Sequence, residues 1–94
     1  MDSNYAFEAD VELFPQDKGW HYVKAPSAMT KPLEKLADRG VIAISATVGR
    51  SEWDTSLLPM GDGTHFIALP AKVRTKNKIE VGDRISVDFS LRER

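Results

Sequence analysis

Two segments near the ends of the chain alternate between apolar and polar side chains. In residues 5–13 the apolar side chains occupy the odd positions, and Glu8, Asp10 and Glu12 occupy the opposite side. Residues 84–91 repeat this alternation, with branched and aromatic side chains at the odd positions. Because successive side chains of a strand point to opposite faces, both segments predict strands that each bury one face.

The middle of the chain holds four more apolar segments between turn signals, which predict strands over residues 20–24, 41–48, 52–58 and 64–69. Residues 41–48 carry few charges on either face, so this strand is expected at the centre of the sheet. A short helix is predicted from Thr30, as its cap, to Gly40, with Pro32 in its first turn. Residues 70–77 predict a basic turn or a short helix.

These six strands predict a mainly β (α+β) fold. A small sheet hides its edges best by closing on itself, so we expect a closed or nearly closed six-stranded β-barrel. It should carry one clear short helix and a second short helical turn. The chain has 94 residues, which suits one modest core, so residues 1–94 are expected to form a single domain.

A weak internal repeat links the two halves of the chain. Placing residues 21–26 over residues 65–70 matches histidine with histidine, aromatic with aromatic, β-branched with β-branched, and proline with proline. The apolar rows that follow match only if a gap is placed near Gly40, because a one-residue slip exchanges the faces of a strand. Chance similarity and a true duplication both explain the repeat. A duplication would let one chain close the barrel without a second copy.

The composition narrows the class of protein further. The hydrophobic share of 41% and charged share of 29% are those of a globular chain, and the net charge of −1 gives no overall attraction to nucleic acid or membrane. The absence of cysteine excludes disulfides, thiolate metal sites and cysteine nucleophiles. With an acidic N-terminal segment and no long apolar run, the protein is expected to be soluble and cytoplasmic.

The two tryptophans are the first candidate binding residues. Trp20 and Trp53 belong to different predicted strands and could line the mouth of a barrel, where an indole ring stacks on a ligand. Arg50, Thr55 and Ser56 could add polar contacts beside Trp53. Core packing, turn chemistry and an exposed strand face explain the same residues without a ligand.

A run of cations supplies the second candidate surface. Lys72, Arg74, Lys76 and Lys78 follow one another with no acid between them, and such a run could neutralise phosphates. No aromatic residue is interleaved, so the run itself does not predict stacking on single strands. A solvated face that prevents edge pairing is the alternative.

The sequence gives little support for catalysis or metal binding. His21 and His65 are the only histidines, and a metal site would need both to converge with a carboxylate. No nucleophile elbow or metalloprotease spacing is present. We therefore expect no enzyme activity, no metal and no cofactor.

Two resemblances extend this interpretation. Residues 66–87 are similar to the swapped-hairpin (looped-hinge) DNA-binding antitoxins and regulators, through Leu69, Pro70, Lys72, Arg74, Ile79, Gly82, Asp83 and Ile85. Those proteins complete a barrel by dimerising. A second set of pieces, spread over nearly the whole chain, comprises Phe7-Glu8-Ala9, Trp20-x-x-Val23-x-x-Pro26, Trp53-x-Thr55-Ser56-Leu57-x-Pro59 and Val81-Gly82-Asp83-x-Ile85-x-Val87. In the order and spacing of these pieces the chain resembles the family named domain of unknown function 1905.

The second resemblance implies a compact single-chain β-barrel of bacterial or archaeal type, with no established activity. The resulting hypothesis is a monomeric, non-catalytic binding module for an unidentified small molecule or protein. The alternative is a nucleic-acid-binding transcriptional regulator or antitoxin of the swapped-hairpin type.

Overall fold

The computed structural model describes residues 4–15 and 19–92. Its strands are β1 (Asn4–Asp10), β2 (Glu12–Leu13), β3 (His21–Ala25), β4 (Ile42–Val48), β5 (Ser51–Pro59), β6 (His65–Ala68) and β7 (Arg84–Leu91). Its helices are α1 (Ser27–Thr30), a 3-10 helix (Lys31–Leu36) and α2 (Ala71–Asn77). In the part of the chain that the structure describes, no helix is long and apolar enough to cross a bilayer.

All strands join one antiparallel sheet in the order β1-β7-β4-β5-β6-β3-β2. Because β1 and β2 end this order but follow each other along the chain, the sheet curls into a nearly closed barrel. The predicted mainly β barrel is therefore confirmed. The strand count is seven rather than six, because the first predicted strand divides at Val11. The N–H of Val11 donates to the Asp83 carbonyl at 2.8 Å, and its own carbonyl accepts from Gly82 at 2.9 Å.

The barrel interior is filled by apolar side chains from alternate positions of the strands. Strand β4 lies between β5 and β7, which confirms its predicted central place. The largest side chains with almost no exposure include Phe89, Ile44, Leu57 and Ile67. Each such burial stabilises the fold by roughly 1.5–3 kcal/mol. Leu13 was expected on the buried face, but its exposed fraction is 45%, because it lies in the last position of β2 before the hairpin to β3.

The first helical connection differs from its predicted form. The helical segment begins at Ser27 rather than Thr30, passes from α1 into the 3-10 helix, and ends at Leu36. The Thr30 side chain makes no capping hydrogen bond and is fully buried. Pro32 does occupy the first turn of the 3-10 helix, as predicted, and Leu33 is buried whereas Leu36 is exposed. Residues three apart share a face of a 3-10 helix, so the helical period does not explain why Leu33 is buried and Leu36, the last residue of this helix, is exposed. Of the turn or short helix predicted over residues 70–77, the short helix is present as α2.

The internal repeat in the sequence is also present in the strand pairing. Exchanging the β1–β2 pair with β5, β3 with β6, and β4 with β7 reproduces every strand neighbour in the sheet. The relating axis passes through the paired residues Val23 and Ile67, which the proline overlay places at equivalent positions. Between the proline and the last strand, the first half passes through α1 and the 3-10 helix, and the second half passes through α2 and a turn. Ile42 lies one residue farther from Pro26 than Ile85 lies from Pro70, which is the gap required near Gly40. One chain thus supplies both halves of this barrel.

Candidate functional site

Two corners of the molecule are equivalent under this exchange of halves. The Arg74 corner comprises residues 19–21 and 68–74, and the Thr30 corner comprises residues 63–65 and 24–30. In each, a strand ends in a proline whose carbonyl accepts two N–H bonds from the next turn. Pro70 accepts from Val73 at 3.0 Å and from Arg74 at 3.1 Å, and Pro26 accepts from the equivalent residues at the same two distances. The corners therefore share one backbone frame.

The Arg74 corner contains a groove of about 290 Å³. Its lining residues are Gly19, Trp20, His21, Ala68, Leu69, Pro70, Ala71 and Arg74. This volume lies at the small end of the range of ligand pockets, which is roughly 300–1,000 Å³. The lining combines one large aromatic ring, one guanidinium, one imidazole and several apolar groups. No acidic side chain is among the described lining residues.

Trp20 forms the aromatic wall of this groove. Its carbonyl accepts a hydrogen bond from the N–H of Phe14 at 3.0 Å, which ties its backbone to the β2–β3 hairpin. Its side chain remains 52% exposed although it is among the largest apolar groups of the chain. An indole ring on a fixed backbone offers a planar surface for stacking, because little conformational entropy remains to be lost. This exposure distinguishes Trp20 from a core tryptophan.

Arg74 forms the charged wall. It lies in α2, is half-buried, and its Nε donates to the carbonyl of Leu69 at 3.1 Å. That bond holds the guanidinium against the end of β6. The two terminal nitrogens have no hydrogen bond or ion pair to any described residue, so their donors remain available. A planar guanidinium oriented in this way suits bidentate recognition of a carboxylate or phosphate.

His21 contributes part of the wall of the groove. The imidazole is half-buried, and its Nδ1 is sealed from solvent with no partner among the described residues. His65, its equivalent in the other corner, is buried and lies beside the carbonyl of Gly40, with Nε2 at 3.2 Å from that oxygen. The two residues occupy opposite ends of the β3–β6 ladder, about 13 Å apart at roughly 3.3 Å per residue. They do not converge on a metal, and the described residues contain no cluster of three metal-binding side chains.

The structure separates Trp53 and Arg50 from this groove. Trp53 lies on β5, is half-buried, and packs against the core, with its Nε1 sealed and unpartnered among the described residues. Arg50 is exposed in the β4–β5 turn, where its backbone N–H donates to the Asn77 side chain at 2.9 Å. Neither residue lines the groove at the Arg74 corner. The predicted pairing of Trp20 with Trp53 at one barrel mouth is thus not the arrangement that the fold produces.

Thr55 and Ser56 also lie on β5, away from Trp20. Thr55 points toward the interior, half-buried, and its carbonyl accepts from Arg92 at 2.9 Å. Ser56 is half-buried on the opposite face and pairs with Ala43 of β4. Both residues belong to the side of the barrel formed by β4, β5 and β7, and neither lines the groove.

The predicted basic run is divided by α2. Lys72, Lys76 and Lys78 are exposed, whereas Arg74 turns inward to the groove. Asn77 fixes the far end of α2, because its side-chain amide donates to the Val73 carbonyl at 2.9 Å and to the Ser51 hydroxyl at 3.0 Å. The fold therefore brings Trp20 and Arg74 together, although the sequence suggested them for separate surfaces. The sequence signal that could have predicted this meeting of Trp20 and Arg74 is the internal repeat, since it implies that β3 lies beside β6.

A second groove, of about 280 Å³, lies on the other side of α2 and includes Gly49, Asn77 and Ile79 in its lining. The Asn77 side chain there is already engaged on both its oxygen and its nitrogen. A Cβ at Gly49 would overlap the Asn77 side-chain oxygen, so this region is built for close packing of the β4–β5 turn on α2. It offers a ligand fewer free polar groups than the Arg74 corner.

The family model described as Domain of unknown function (DUF1905) matches residues 7–89, which covers both corners and all strands except the outer parts of β1 and β7. No curated protein matches the chain.

Proposed function

Because the chain belongs to the DUF1905 family, whose description assigns no activity, we propose its function from the groove: a non-catalytic binding module for a small, planar and anionic molecule. The observation that carries this proposal is the pairing of an exposed indole, Trp20, with the guanidinium of Arg74 in one groove. The indole supplies a stacking surface, and the guanidinium supplies the donors that fix an anionic group.

The surroundings of these two residues also support binding rather than catalysis. A general acid or base must lie within hydrogen-bond reach of the reacting proton. The titratable side chains among the described lining residues are His21 and Arg74. The Nδ1 of His21 is sealed, and a guanidinium keeps its proton at neutral pH. The groove thus offers one imidazole and one guanidinium, and no carboxylate among the described lining residues pairs with the imidazole.

The test uses the fluorescence of Trp20 in a Trp53→Phe variant, which leaves one tryptophan in the chain. Benzoate, phenyl phosphate and adenosine monophosphate are titrated as planar anions, with acetate and benzyl alcohol as probes that lack the ring or the charge. We expect at least one planar anion to bind and change the emission of Trp20. Arg74→Gln should weaken the binding of that anion about tenfold or more. Arg50→Gln is the matched control, because it removes an exposed arginine outside the groove. Absence of binding by all the planar anions at millimolar concentration would refute the proposal.

A second candidate function is duplex nucleic-acid binding through the exposed lysines of α2. Lys72 and Lys76 lie one helical turn apart, and Lys78 follows at the C-cap, so three cations share one short element. The similarity of this segment to swapped-hairpin DNA-binding proteins supports the same function. A titration of duplex DNA at low salt tests it, with Lys72→Gln/Lys76→Gln as the variant. Binding that survives this double substitution would argue against α2 as the contact surface.

A further inference from the structure

We infer that the groove of the Arg74 corner takes a single nucleotide unit, with the base stacked on Trp20 and the phosphate held by Arg74. This inference rests on the proposed function and specifies its ligand. Three properties of the described residues lead to it: the flat exposed ring, the charge of the surrounding surface, and the size of the groove.

The flat ring selects an aromatic group. Trp20 is the one tryptophan of the chain that is mostly exposed, since Trp53 packs against the core. The same groove is also lined by Pro70 and Ala71, whose side chains are small. Stacking on an indole accepts any nucleobase, because every base presents a π-face.

The surrounding charge favours phosphate over carboxylate. Arg74 has free terminal donors, and Lys72 directly follows Ala71, a residue of the groove lining. Residues 70–79 contain four cations and no acid. A carboxylate carries one negative charge, whereas a phosphate monoester carries about −1.5 to −2 at neutral pH and offers three acceptor oxygens. The lysines do not line the groove, but a guanidinium with free donors in a segment that carries three further cations and no acid matches a phosphate better than a carboxylate.

The size of the groove limits the ligand to one unit. About 290 Å³ accommodates one ring system with one charged group, and a dinucleotide would extend beyond the lining residues. The nucleotide could be free in solution or could belong to a single strand, whose neighbouring phosphates would then reach Lys72 and Lys76. A base within a duplex is paired and stacked on both faces, so it cannot contact Trp20 without being flipped out.

The experiment titrates the Trp53→Phe protein with adenosine monophosphate, adenosine, inorganic phosphate and benzoate. We expect the monophosphate to quench Trp20 and to bind at least tenfold more tightly than either adenosine or phosphate, since only it engages both walls. Arg74→Gln should reduce the affinity for the monophosphate to that for adenosine. Trp20→Ala should reduce this affinity to that for phosphate, and calorimetry measures it because the variant has no tryptophan left. Arg74→Lys keeps the charge but not the fork, and should fall between. Arg50→Gln should leave the affinity unchanged.

Two further probes identify the source of the nucleotide. If a dodecamer of deoxythymidine binds at least tenfold more tightly than the monophosphate, the source is a single strand. That advantage should fall with Lys72→Gln/Lys76→Gln and with added salt, by a log–log slope of roughly −0.7 per neutralised phosphate. Equal affinities identify a free nucleotide. A duplex that binds as tightly as the single strand would overturn the inference, because it needs no stacking on Trp20.

Other results would also overturn it, and they separate it from the proposed function. Benzoate binding that depends on Trp20 and Arg74, without binding of the monophosphate, would leave the binding module intact and remove the nucleotide. Binding of the monophosphate that neither groove substitution weakens would place the nucleotide elsewhere. Absence of binding by every planar anion would refute both.

Discussion

The Arg74 corner and the Thr30 corner have the same backbone frame but differ in what their side chains leave open. Trp20 and Arg74 leave a groove in one corner. At the equivalent positions of the other corner are Thr64 and Thr30, and Thr30 is fully buried. The comparison shows that a groove can open within a repeated backbone frame where two side chains differ.

The two corners also differ in the hydrogen bonding of their buried polar atoms. The hydroxyl of Thr30 and the Nδ1 of His65 are both sealed without a partner among the described residues. A buried unsatisfied polar group costs about 1–3 kcal/mol. In the Arg74 corner the equivalent side chain is half-buried, and its Nε has a carbonyl partner. Both corners hold an imidazole Nδ1 without a partner among the described residues, so the corners differ at the Thr30 hydroxyl, which is buried and unpaired, and at Arg74, which keeps free donors.

The largest effect is expected from exchanging the two key residues. Thr30→Arg places a charge where the native side chain has no exposure, so it should lower the free energy of unfolding by about 3–5 kcal/mol. The reciprocal Arg74→Thr loses one hydrogen bond and some packing, and should lower it by about 1 kcal/mol or less. Urea unfolding of both variants measures the difference. Equal losses of stability would show that the two corners do not differ in how tightly they pack around these side chains.

A second contrast concerns the two tryptophans. Trp53→Ala should lower the free energy of unfolding by about 2–3 kcal/mol, because the ring packs against the core. Trp20→Ala should change it by less than ~0.5 kcal/mol, since most of that ring is exposed, while weakening binding of a planar anion. Chemical unfolding and a ligand titration on the same samples test both. If Trp20→Ala is the more destabilising, the ring is a packing group and the groove loses its aromatic wall.

A smaller and opposite effect is expected from Thr30→Val, which keeps the shape of the side chain and removes its unpartnered hydroxyl. The free energy of unfolding should rise by about 1 kcal/mol, or roughly 4–8 °C in Tm for a domain of this size. Thr64→Val is the matched control in the same corner, because that hydroxyl bonds to the Asp62 carboxylate and its loss should not stabilise. A lower Tm for Thr30→Val would indicate that the hydroxyl has a partner after all.

The sequence predicted the barrel because alternation reports directly which side of a strand faces the core. The rows of β4 and β7 appear as expected, and the proline overlay placed Val23 and Ile67 at the positions that pair across the axis. The form of the first helix could not be read from its spacing. Thr30 and Gly40 are typical end signals, but packing of the Thr30 side chain into the core decides where the helix lies.

The groove was harder to predict, because it joins residues that are far apart in the chain. Trp20 and Arg74 meet only because β3 pairs with β6 and α2 begins where β6 ends. The cationic run suggested a continuous surface, whereas a seven-residue helix turns Arg74 away from Lys72 and Lys76. Local spacing predicts the type of each side chain's contacts, and the pairing of strands decides which side chains share a site.

The smallest predicted effect concerns Tyr22 and Phe66, which are equivalent in the two halves. They pack together on the outer side of the barrel, with ring centroids 5.5 Å apart, and differ in the phenol hydroxyl, which donates to Glu12 at 3.4 Å. Burial, and then the charge and hydrogen bond of Glu12, raise the pKa of Tyr22 above its ordinary value of 10.0. Tyr22→Phe should lower the free energy of unfolding by less than ~1 kcal/mol at pH 7, because the lost hydrogen bond is long.

The pH dependence of Tyr22→Phe gives the sharper test. The raised pKa means that the folded state holds the phenol proton more tightly than the unfolded chain does. The stability linked to Tyr22 is therefore complete below pH 10 and is lost as the pH rises through the folded-state pKa. The wild-type protein should lose more stability than Tyr22→Phe between pH 7 and about pH 11, and the difference between the two unfolding curves isolates this residue from the other alkaline groups. Equal losses of stability in the two proteins would show that the surroundings of Tyr22 do not hold its phenol in the neutral form. A phenylalanine, as at the equivalent position Phe66, would then serve as well.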